Sequence, residues 1–64
     1  MVLDEQQEYE RTLEVAHDAL RDLDSGRAKL LSIGWDYEAS RIEDAASVVA
    51  FHMVYVKLTH DEAA

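Results

Sequence analysis

From Tyr9 the apolar residues recur at Leu13, Ala16, Leu20 and Leu23, separated alternately by four and three positions. That spacing lays one stripe along an α-helix. Asp4 is the expected N-cap, with Gln7 three residues on as its capping-box partner, and Glu5 and Glu8 sit near the positive end of the helix dipole. The pattern predicts a first helix over about residues 4–24. Ser25-Gly26 follows, and Gly26 suits the left-handed position after a helix end.

A short apolar segment comes next, with Ala28, Leu30, Leu31 and Ile33 before Gly34. It reads as a two-turn middle helix over 27–33 or as an apolar connector. A third segment runs to about Thr59, and Asp61 to Ala64 are expected to form a frayed tail. The segment starts near Asp36 if Asp36 is the N-cap, or near Arg41 if Ser40 and Glu43 form the capping box. One stripe there is Trp35, Ala39, Ile42, Ala46, Val49, Met53 and Val56. A second is Val48, Phe51, Tyr55 and Leu58, on the opposite side at 100° per residue. A helix apolar nearly all round is expected to be buried. A strand over 47–59 is the competing reading, because Val48, Val49, Val54, Tyr55 and Val56 are strong β formers. The fold class expected is all-α: a helical hairpin or three-helix domain, with two long helices and a short middle one, in a single domain over 1–64. The first helix covers one face of the last, so the other face needs the middle segment or a second copy of the chain. A homodimer is therefore expected as one solution.

Composition supports this picture. The chain has 64 residues, no cysteine, no proline and only two glycines. Disulfides and thiolate metal sites are excluded. A chain of this length buries only ~60% of its unfolded surface. No apolar run reaches the ~18 residues of a membrane span, and Met1 to Glu10 lacks the basic start of a signal peptide. A cytoplasmic protein is the expectation.

Charge narrows the function classes. The formal net charge is −8, from 14 acids and 6 bases. Phosphates are neutralised by Lys and Arg, so direct nucleic-acid binding is not expected, whereas a basic protein surface is an expected partner. Residues 1–24 carry eight acids and two bases, net −6. Among them Glu10, Glu14, Asp18 and Asp22 repeat at i, i+4 opposite the Tyr9–Leu23 stripe. Like charges stacked in this way oppose helix formation by a few tenths of a kcal/mol. A row of carboxylates over about three turns reads either as a phosphate-like binding face or as a solvated surface. Asp36, Glu38, Glu43 and Asp44 add to the acidic set. Tyr37, beside Asp36 and Glu38, suits an interface, as do Val48, Phe51, Tyr55 and Leu58; Trp35 continues the core stripe.

No catalytic, cofactor or metal site is expected. There is no Gly-rich phosphate loop, no nucleophile with a paired base and no metal motif. His52 and His60 lie too far apart on one helix to share an ion, and His17 sits beside Asp18 on a solvated face. His52 is expected to line a packed seam or an interface. Glu43 and Asp44 point about 100° apart, which does not suit general acid–base work.

In size, lack of cysteine, net charge and the Glu10–Asp22 ridge, the chain resembles the small acidic helical inhibitors that phages make against host defences, anti-CRISPR proteins among them. The resemblance implies a DNA-mimicking surface that blocks a basic, nucleic-acid-binding protein in the cytoplasm of the host cell. Arg11, Arg21 and Arg41 depart from such a surface by interrupting its negative charge. The alternative is a helical dimerisation or adaptor module, in which the apolar stripe binds and the acids only solubilise.

Overall fold

The computed structural model describes residues 4–63. Met1 to Leu3, and Ala64 at the end of the expected tail, lie outside them. Two helices, α1 (Glu5–Ser32) and α2 (Asp36–Ala63), form an antiparallel hairpin. Among the described residues there is no strand, so the β-rich stretch 47–59 is helical. Asp4 caps α1 in extended conformation, and its Oδ1 accepts from the Gln6 N–H at 3.3 Å. The expected partner was Gln7; the cap reaches the donor two residues on instead.

The middle helix does not exist as a separate element. α1 passes through Ser25-Gly26 without a break and ends eight residues later than expected. Gly in a helix interior costs about 1 kcal/mol relative to Ala. Continuing the seam offsets that cost: Arg27 and Leu30 prolong the four–three spacing beyond Leu23, and both are half-buried. Arg27 also reaches back to Asp24 at 3.4 Å.

Gly34, rather than Gly26, stops the helix. Its φ is +81°, the left-handed region. The Gly34 N–H donates to the Leu31 carbonyl at 3.1 Å, and the Trp35 N–H donates to the Leu30 carbonyl at 3.0 Å. This pair of reversed bonds is the Schellman arrangement, and it satisfies carbonyls that the helix end would leave orphaned. The Trp35 carbonyl then accepts from the Ala39 N–H at 3.0 Å. Trp35 is thus the N-cap of α2, Asp36 its first residue rather than its cap, and Ser40 and Glu43 lie inside it rather than forming a capping box. Trp35 also departs from the core stripe. It is 54% exposed, because α1 has already ended at the turn and little faces it.

The seam between the helices joins Tyr9, Leu13, Ala16, Leu20, Leu23 and Leu30 to Ala39, Ile42, Ala46, Val49, Met53 and Val56. Among the described residues only Ala39 and Met53 are buried outright, Ala39 at 1% exposure. Small residues at Ala16, Gly26, Ala39 and Ala46 let the backbones approach. At the open end the Tyr9 and His60 rings stack at 3.7 Å, and the His60 Nε2 lies 3.1 Å from Gln6 Oε1. Thr59 Oγ1 donates to the Tyr55 and Val56 carbonyls. These contacts hold the final turn, so 61–63 extend α2 rather than fraying. His60 continues the spacing 49, 53, 56 by a further four.

The molecule measures 47 × 24 × 11 Å. Its thickness is that of one helix, so each helix buries a single stripe and exposes the rest.

A Cβ at Gly26 would meet Ile42 Cδ1 at 3.9 Å, an ordinary contact, and φ there is not in the left-handed region. Gly26→Ala should therefore stabilise the hairpin by about 0.5–1 kcal/mol. A melt should show this as a midpoint roughly 2–8 °C higher; a lower midpoint would mean that the helices separate to admit the methyl.

Candidate functional site: an uncovered apolar face and a carboxylate ridge

Residues 37, 41, 44, 48, 51, 55 and 58 follow one another at spacings of four and three. They form one line down the side of α2 turned away from α1. Tyr37 is 73% exposed, Val48 70%, Phe51 78%, Tyr55 57% and Leu58 58%. The expectation that α2 is buried on both sides is overturned within the single chain. The segment expected as one cover for this face is the end of α1, where Arg27 and Leu30 pack in the seam and Leu31 and Ile33 stay exposed.

Arg41 and Asp44 occupy the same line and pair with each other at 3.5 Å. Downstream of them, residues 48–60 contain Lys57 as the one formal charge. His52 lies beside the line, with its ring 5.7 Å from that of Tyr55. Around its edge an apolar groove of about 270 Å³ opens between the helices, lined by Thr12, Leu13, Ala16, Val48, Val49, His52, Met53 and Val56. His52 therefore borders the exposed face.

Glu10, Glu14, Asp18 and Asp22 are all exposed on α1, on the side away from the seam. The ridge is not purely anionic. Asp18 pairs with Arg21 at 3.4 Å, and Arg11 lines the same shallow surface groove as Glu10 and Glu14. Glu10 accepts from Gln6 Nε2 at 3.2 Å. Surface ion pairs of this kind contribute about 0–1 kcal/mol.

The remaining acids do not join the ridge. Asp36 and Glu38 stand in the first turn of α2, where they complement the helix dipole. Glu43 lines a second shallow groove with Leu20, Leu23, Arg27 and Ile42. Asp44 belongs to the outer line of α2, across the molecule from the ridge. The eight acids thus fall into four places rather than one face.

The clasp of Gln6, Tyr9 and His60 was not expected from the sequence. Extending the seam spacing past Val56 to His60, opposite Tyr9, is the signal that points to it.

Among the described residues no cluster of His, Cys, Asp or Glu is placed to hold a metal ion, and no helix is long and apolar enough to cross a membrane. In comparisons with known protein families, curated proteins and solved structures, nothing matches the chain.

Proposed function

We propose that this protein is a non-enzymatic helical binding module that associates through the outer face of α2. One observation carries the reading. Val48, Phe51, Tyr55 and Leu58 leave more than half of their surface in water along one continuous line. Scattered exposed apolar residues are ordinary on a soluble domain, but a contiguous patch of large ones marks an interaction surface. The regular spacing suits a helical partner, whose side chains would interdigitate with the line. Phe51→Glu should abolish capture of the partner in a pull-down and leave the helical circular dichroism unchanged, while the same charge placed at exposed His17 should leave both capture and circular dichroism unchanged. Equal capture by wild type and Phe51→Glu would refute the reading.

The second reading is inhibition of a basic, nucleic-acid-binding protein by the α1 ridge, as the resemblance to phage inhibitors implies. What favours it is that Glu10, Glu14, Asp18 and Asp22 are all exposed on the side of α1 away from the seam. The Asp18–Arg21 pair and Arg11 weaken it, because each places a cation among the carboxylates. Changing Glu14→Lys and Asp18→Lys together should remove a salt-sensitive basic partner and leave the melting midpoint within a few degrees. Undiminished capture by the double variant would leave the ridge with a solubilising role only. The two surfaces face opposite ways, so occupation of one leaves the other open.

A further inference from the structure

We propose that the occupant of the α2 face is a second copy of this chain, packed antiparallel about a two-fold axis that passes between Val48 and Phe51. The inference rests on the reading of that face as the association surface, and it names the partner.

Three observations point to a copy of the chain itself. The first is the shortage of core. Among the described residues a lone hairpin buries only Ala39 and Met53, and no large side chain is fully enclosed. A core this small leaves a hairpin marginal, and with no disulfide to brace it, oligomerisation is one of the few routes to added stability.

The second is area. Tyr37, Phe51 and Tyr55, at about 200 Å² each when fully exposed, leave roughly 400 Å² in water at their fractional exposures. Val48, Leu58 and the lip of the groove beside His52 bring the apolar area towards the roughly 800 Å² that one partner contributes to a standard interface.

The third is charge. Two chains of net −8 repel one another. The one long surface nearly free of that charge is the stretch 48–60, and the α1 ridges would point outward on both sides of the pair.

The line is also self-complementary. An antiparallel two-fold pairing sets Val48 against Phe51 of the other copy and Phe51 against Val48. It then brings Asp44 opposite the Tyr55 hydroxyl, which can donate to the carboxylate, and lays the Arg41 stem over Leu58. A parallel pairing would instead place Arg41 against Arg41 and Asp44 against Asp44. In the antiparallel pair the two Val48 positions differ by three residues along the axis, about 4.5 Å, and the two Leu58 positions by seventeen, about 26 Å.

Sedimentation equilibrium over a range of concentrations tests the association, and single cysteines test its geometry in a chain that has none of its own. The expected mass is twice the 7.3 kDa of the chain, falling to one chain mass in Phe51→Glu and in Tyr55→Glu at unchanged helical circular dichroism. Under mild oxidation Val48→Cys should cross-link to a covalent dimer and Leu58→Cys should not. A wild-type monomer at every concentration overturns the inference. If that monomer captures another protein that Phe51→Glu does not, the α2 face is still an association surface and only the second copy is wrong. If wild type and variant capture alike, both readings fail. A dimer that persists in both glutamate variants, or that cross-links through Leu58→Cys and not Val48→Cys, also overturns the inference.

Discussion

Ala39→Glu should unfold the protein. Ala39 is 1% exposed and stands where α2 leaves the turn and meets α1, a place with no room for a longer side chain. Glutamate there must either lose its hydration or push the helices apart. An unpaired ion held in an apolar seam costs several kcal/mol, and separation of the helices would forfeit the seam. The whole stability of a domain this size is about 5 kcal/mol or a little more. Far-ultraviolet circular dichroism should therefore lose most of its helical signal, since isolated helices depend on packing for most of their stability. Ala28→Glu supplies the control: the residue is also in a helix but exposed, and its signal should be unchanged. A folded Ala39→Glu variant would mean that the two helices do not pack as described.

Gly34→Val should be the next most damaging change. At φ +81° a Cβ strains the backbone however much space surrounds it. The left-handed conformation costs a residue with a Cβ roughly 1–2 kcal/mol, and a β-branched side chain stands at the upper end. The alternative is to abandon the conformation, which breaks the bonds from Gly34 to Leu31 and from Trp35 to Leu30 that reverse the chain. The expected loss of about 2 kcal/mol would lower the midpoint by roughly 8–16 °C. Asn tolerates this region better, so Gly34→Asn should retain more of the stability than Gly34→Val. Equal midpoints for the two would show that backbone conformation is not what Gly34 supplies.

The seam was legible because helical packing writes a regular four–three spacing into the chain. Tyr9 to Leu23 and Ala39 to Val56 appear in the sequence as the structure uses them. The position of the turn was not legible in the same way. Two Gly-containing breaks, Ser25-Gly26 and Gly34-Trp35, looked alike locally. What separates them is that Arg27 and Leu30 have partners across the seam. The N-cap of α2 is hidden for a related reason: Ser40 and Glu43 have the chemistry of a capping box, but the chain is already helical from Asp36 once the turn has placed Trp35.

For the binding surfaces, the second stripe of α2 and the ridge of α1 were both readable as faces of helices. The interruption of the ridge by Arg11 and Arg21 was readable as well, from residue type and position, but the exposure of the α2 stripe was not, because spacing does not say which face the partner helix covers.

The sequence by itself determined that this chain is helical, which residues share each helix face and where the negative charge is concentrated, because all three follow from a fixed 100° step between neighbours. The tertiary structure decided that there are two helices rather than three, that Gly34 makes the turn, and that His60 closes on Tyr9. It also decided that the Val48–Leu58 line is left in water. A helix of two apolar faces meets one partner helix in a slab one helix thick, and geometry allows that partner to cover only one of them.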